Sequence, residues 1–216
     1  KRLVVDEGGV EPLVTLLGSP YEAVQECAAW ACAALAKERE YAPLVASATE
    51  LGGHLLLINL LRTAGAPRLH VKAARALGWL AARGQRQYAM RKDGSIPALS
   101  PLSSPDGRAR KNAAFALKHL SQSDDGACRI SIVDFGGVPP LVAMLRSTEH
   151  GPRGLVHAVQ CLISLCRVEE YQVLIGLESG CHQLLVKLLG LRLPHHHHSG
   201  SDEAPDASGT SGELRL

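Results

Sequence analysis

DEGGVEPLVTLLGSP, residues 6–20, returns almost unchanged as DFGGVPPLVAMLRST at residues 134–148. Weaker copies stand at 50–64 (ELGGHLLLINLLRTA), 92–106 (KDGSIPALSPLSSPD) and 178–190 (ESGCHQLLVKLLG). The leading glycines, Gly8, Gly52, Gly94, Gly136 and Gly180, are separated by 44, 42, 42 and 44 residues. A period of ~40–47 residues is that of stacked helical arrays. A second marker keeps step: Pro20, Pro67, Pro105 and Pro152 each sit in a polar or Gly-rich break. An Ala-rich stretch follows each break: VQECAAWACAALA, LHVKAARALGWLA, ARKNAAFALKHLS and GLVHAVQCLISLC.

Elementary stereochemistry turns these markers into a unit. The glycine ends a short helix with a residue that tolerates positive φ and a sharp turn. Pro12, Pro97, Pro139 or Pro140 then falls in the first turn of a second helix, where a missing N–H costs nothing. That helix is apolar on most sides and belongs in the core. The loop proline stops it, and the third, Ala-rich helix follows. One such unit cannot cover its own apolar face, so neighbours must stack into a superhelical rod.

Composition agrees. Apolar residues make up 46% of the 216 and aromatics only 4%, so the core is built from Leu, Val and Ala. Ala and Leu are strong helix formers. The six cysteines form no CxxC pair, and they read as buried free thiols in a reducing, intracellular setting, cytoplasmic or nuclear. No apolar run approaches the ~20 residues that span a bilayer. The chain opens on KRLVV, which reads as the middle of a helix, so a piece of a longer protein is expected.

QECAAWACAALA and RKNAAFALKHLS, preceded by EGGVEPLVTLL and FGGVPPLVAML, resemble the third and second helices of armadillo repeats. The resemblance covers about residues 1–193. It implies an all-α, right-handed superhelical solenoid of about four repeats with incomplete terminal units, occupying residues 1–194. The family includes nuclear import adaptors, catenins, vacuolar membrane adaptors, ubiquitin ligases and ciliary scaffolds, and these motifs do not choose among them. Residues 195–216, PHHHHSGSDEAPDASGTSGELRL without its leading proline, read as a disordered tail. Its four histidines lack a second ligand cluster, so no metal or other cofactor is expected.

The resemblance also implies that third helices line a concave groove holding an extended peptide. In import adaptors a Trp and an Asn one turn later grip that peptide. Here the Trp places hold Trp30, Arg75, Phe115 and Gln160, and the Asn places hold Ala34, Trp79, His119 and Ser164. That ladder is not kept.

Charge points elsewhere. Residues 62–118 carry 12 Lys or Arg against two acids, whereas residues 1–50 carry four bases against eight acids. Helical spacing puts Arg68, Lys72 and Arg75 on one side in the second unit. The third unit offers Arg108, Lys111, Asn112 and Phe115, with His119 one turn on. The fourth offers Arg153 and His157. Arg68, Arg108 and Arg153 hold matching places. With Trp30 and Trp79, these are the candidate groove residues; Trp79 and Phe115 fit a core reading equally. Such a groove attracts an acidic or phosphorylated protein segment; the same charges read equally as solvated surface without a partner. The acidic tail, Asp202 to Glu213, is a candidate self-ligand.

A second class of reading is nucleic-acid binding by the same basic stripe. Against it stand the shortage of interleaved aromatics and a pI near 8.3. Enzyme motifs are missing: GxSxG, the phosphate-loop pattern and HExxH do not occur. A substrate-recognition part of a larger ubiquitin ligase or transport adaptor remains compatible with the repeats. The oligomeric state is not readable from these residues.

Overall fold

The computed structural model describes residues 1–177 apart from 50, 51, 64, 85, 86, 100–105, 124, 125 and 147–150. The unit expected from Gly180 and the tail at 195–216 lie outside the described residues, as do Pro105 and Cys181.

Among the described residues the chain forms thirteen α-helices and no strand. The first unit is α1 (Arg2–Asp6), α2 (Val10–Thr15), a 3-10 turn (Leu16–Gly18) and α3 (Glu22–Ala36). The second is α4 (Ala42–Ser47), α5 (Gly53–Arg62) and α6 (Pro67–Ala82). The third is α7 (Gln87–Lys92), α8 (Ser95–Leu99) and α9 (Gly107–Ser121). The fourth is α10 (Ala127–Asp134), α11 (Val138–Arg146) and α12 (Gly151–Leu165), and α13 (Glu169–Leu177) opens a further unit. The molecule is thus an all-α repeat solenoid. No single described helix is long and apolar enough to cross a membrane.

The glycine marker does the backbone work expected of it. Gly8, Gly52, Gly94 and Gly136 have φ of 70°, 80°, 84° and 68°. At the first and fourth turns the hydrogen bonds are those of a Schellman ending. Gly9 N–H donates to Val4 O at 2.8 Å and Gly137 N–H to Ile132 O at 2.8 Å, each spanning five residues. In the second unit Gly53 has a steric reason as well. A Cβ there would stand 2.2 Å from the carbonyl oxygen of Val45.

Pro12, Pro97, Pro139 and Pro140 all fall in the first turn of a second helix, as expected. Pro20 lies in the break before α3 as expected, but two other break prolines differ from expectation. Pro67 is the first residue of α6 and Pro152 the second of α12, so they open the third helix rather than lie in the loop that stops the second. The physical reason is the same one that places the other prolines: the first turn needs no intrahelical donor.

The core is one cluster running from Val10 to Ile175, made mostly of Ala and Leu. Among the described residues no Phe, Tyr or Trp is fully buried. Small side chains let α3, α6, α9 and α12 pack side by side, each against the next. The expectation for cysteine holds for Cys32, Cys128 and Cys161, which are buried free thiols. Burial pushes Cys32 and Cys161 up to about 12. Cys27 is exposed instead, because it lies on the outward side of α3, five residues from Cys32.

At the ends of the third helices, polar side chains join the units mainly in one direction. The carbonyls that end each third helix are met by a donor from the following unit. Arg83 reaches Lys37 O, through Nε at 3.1 Å and through Nη2. Gln87 Nε2 donates to Ala81 O at 2.8 Å. Arg129 Nη1 donates to Ser121 O at 3.0 Å and Ser123 O at 3.1 Å. Gln172 Nε2 donates to Cys166 O at 2.9 Å. These bonds close orphan carbonyls that a helix end leaves open. A separate tie links the buried His54 of α5 to Asp93, Nε2 to Oδ2 at 2.7 Å, beside the third glycine turn.

Candidate peptide-binding face

The third helices share a register. Trp30, Arg75 and Gln160 are exposed at the same place on α3, α6 and α12, and Phe115 is half-buried there on α9. One to two turns earlier, Ala23, Arg68, Arg108 and Arg153 are all exposed. Lys72, Lys111, Asn112 and His157 are half-buried along the same side. Helical spacing and side-by-side packing therefore bring the sequence-selected residues onto one continuous face.

Their environments are not alike. The side chains of Arg68, Lys72, Arg75, Lys111 and Arg153 make no hydrogen bond or ion pair among the described residues. Arg108 is engaged: its Nη2 lies 3.0 Å from Asp106 Oδ2 and its Nε 3.3 Å from Oδ1. Asp106 is also the N-cap of α9, accepting from the Arg108 backbone N–H at 2.7 Å. The Arg108 guanidinium holds the Asp106 carboxyl below the usual carboxylate range, by hydrogen bonding first. The matched row of three arginines is therefore unequal, because its middle member folds back on its own cap. Asn112 is likewise committed, with Nδ2 donating to Val71 O at 2.9 Å across the α6–α9 seam.

The aromatic residues meet. Phe115 is the hub: its ring centroid lies 5.0 Å from that of Trp79 and 4.8 Å from His119, both edge-on. The His157 ring is tilted at 5.1 Å. Three units contribute to this strip, and Phe115, Trp79, His119 and His157 are all half-buried. The choice between core and groove for Trp79 and Phe115 resolves into a seam position: inner side packed, outer side reaching solvent. Burial, aided by the neighbouring Lys118, by His157 when protonated and by Arg83, pushes His119 down to about 4. Burial also lowers His157, with Lys118, Lys111 and Arg153 nearby.

Two contributors were not singled out from sequence. Gly78, inside α6, lets Phe115 approach: a Cβ on it would lie 2.4 Å from Phe115 Cδ1. A glycine interrupting an Ala-rich helix was the available signal. Arg83 stacks its guanidinium 5.7 Å from the Trp79 ring centroid while closing the end of α3. A basic residue just past a helix C-terminus was the signal there.

Among the described residues no group of three or more His, Cys, Asp or Glu could hold a metal ion. The histidine run at 195–198 and the acidic segment from Asp202 to Glu213 lie outside the described residues.

A family model described as Armadillo/beta-catenin-like repeat matches residues 1–31. Among solved structures, an engineered protein is 30% identical, with 84% of this chain and 72% of that one covered and a TM-score of 0.71. Designed armadillo repeat proteins for modular peptide recognition match at 22% identity, covering 88% and 78% of the two chains with a TM-score of 0.75. A designed armadillo repeat protein in complex with the peptide (KR)4 matches at 21% identity, covering 92% and 79% with a TM-score of 0.72. No curated protein matches the chain.

Proposed function

Because the chain belongs to the armadillo-repeat proteins, we propose that it is a non-catalytic protein-interaction scaffold whose third-helix face holds an extended acidic or phosphorylated protein segment. One observation carries this reading. The three packed helices α6, α9 and α12 contain no Asp or Glu, and their outward side presents the unpaired cations Arg68, Lys72, Arg75, Lys111 and Arg153. An unpaired Arg offers a fixed fork of donors that fits carboxylate or phosphate. Arg68 and Arg153 also lie in first turns, where a positive charge opposes the helix dipole unless an anion is supplied.

A designed armadillo repeat protein of similar fold was solved in complex with the charged peptide (KR)4. In this chain the unpaired cations favour a ligand of the opposite sign. The free thiols support a reducing, intracellular setting.

The test is fluorescence polarisation with labelled octapeptides: an acidic one, a phosphoserine-rich one, and (KR)4 as the control. The acidic and phosphorylated peptides are expected to bind, more weakly as salt rises. The triple variant Arg68→Glu, Arg75→Glu, Lys111→Glu is expected to abolish that binding. Equal binding by the variant, or preference for (KR)4, overturns the proposal.

A further inference from the structure

The strip formed by Trp79, Phe115, His119 and His157 is apolar ground within a cationic face. Its rings are edge-on or tilted toward Phe115 at 4.8 to 5.1 Å. Each ring is packed on one side and still reaches solvent, since all four residues are half-buried. Both histidines are held below their ordinary range, so the strip is uncharged at neutral pH. The cations are close: Lys111, Lys118 and Arg153 all bear electrostatically on His157. Wet aromatic surface at the centre of a charged patch is where a partner's anchoring side chain gains most, and the surrounding polar contacts then exclude water.

Resting on the acidic-segment reading above, we propose that the partner segment carries one aromatic side chain flanked by carboxylates or phosphates, and that this ring packs on the Phe115 strip. The flanking anions meet Lys111 and Arg153, each one helical turn from the strip. Aromatic packing beyond simple burial sets the selectivity for a ring over a methyl, and charge complementarity sets the sign of the flanks. Single-stranded nucleic acid fits this surface less well: the four rings form one cluster, a place for one aromatic group rather than a series of platforms for successive stacked bases.

The experiment compares two acidic octapeptides, identical except for a central Phe or Ala, on the full chain and on Phe115→Leu and Trp79→Leu variants. An oligothymidylate serves as a third ligand. The expected result is about tenfold tighter binding of the Phe peptide by the native chain. In either variant that advantage is expected to shrink below about threefold. Both variants are checked by helical circular dichroism, and two independent substitutions keep one misfolded variant from deciding the matter. Equal affinity for the two peptides overturns the aromatic anchor but leaves the acidic-segment reading standing. Binding of neither peptide overturns both, and oligothymidylate binding in that case assigns the face to nucleic acid.

Discussion

Gly78→Ala is the sharpest probe of the seam between the second and third units. In an ordinary helix interior the change is stabilising by about 1 kcal/mol, because Ala loses less backbone freedom. Here the added Cβ meets Phe115 Cδ1 at 2.4 Å and Cε1 at 3.0 Å. Comfortable carbon contacts lie at about 3.5–4.0 Å, so the ring must retreat by roughly 1 Å. It has little room, with Trp79, His119 and His157 around it at about 5 Å. Overpacking of this kind costs about 1–3 kcal/mol. With ~2 kcal/mol lost to crowding and ~1 kcal/mol gained in propensity, Gly78→Ala should destabilise the chain by about 1 kcal/mol. In a Phe115→Leu background the smaller side chain removes most of the clash, and the same change should stabilise by several tenths of a kcal/mol. The double-mutant cycle then yields a coupling of about 1.5–2 kcal/mol. Urea unfolding followed at 222 nm measures all four proteins. If Gly78→Ala stabilises both backgrounds equally, the close approach of α6 to Phe115 is wrong.

Three further outcomes are expected. The His119 pKa is lowered in the fold, so the unfolded chain binds more protons and stability falls as pH drops from about 6.5 to about 4; thermal melts across that window should show the fall, and His119→Gln should flatten it. Asp106→Ala removes the N-cap of α9 and should cost about 1 kcal/mol; by releasing Arg108 it should also tighten binding of the acidic octapeptide, so a melt and a titration on one sample must move in opposite senses. Arg68→Glu and Arg153→Glu place anions at helix N-termini, and each should raise the melting midpoint by about 1–2 °C while weakening acidic-peptide binding; a lowered midpoint for both would contradict the dipole argument.

The repeat was legible because its markers are local demands. A turn with φ of 84° at Gly94, or a proline in a first helical turn, is specified by a handful of neighbouring residues. The shared outward face was legible too, since helical spacing alone aligns Arg68 with Lys72 and Arg75. What could not be read was anything decided across a seam. Asn112 looks like a groove residue by spacing, yet its donor is taken by a carbonyl 41 residues earlier. Phe115 fitted core or groove until its neighbours from two other units were in place. Arg108 is the instructive middle case: its partner is only two residues away, and an Asp before an Ala-rich helix is a legible cap.

Most donors that close a third helix come from the unit that follows, with Gln87 to His119 O at 3.4 Å and Ser121 Oγ to Lys118 O at 2.7 Å as closures within one unit, and this bias gives the rod a direction. Remove a downstream unit and the helix before it is left with bare terminal carbonyls, each having lost a bond worth about 0.5–1.5 kcal/mol net. Remove an upstream unit and the helices after it keep their own closures. Fraying that starts downstream therefore strips the closure of each helix it reaches, like a zipper whose teeth all slant one way. Hydrogen exchange should reveal it as protection that decays along the chain from α3 toward α12, a gradient that a stack held only by symmetric apolar contacts would lack.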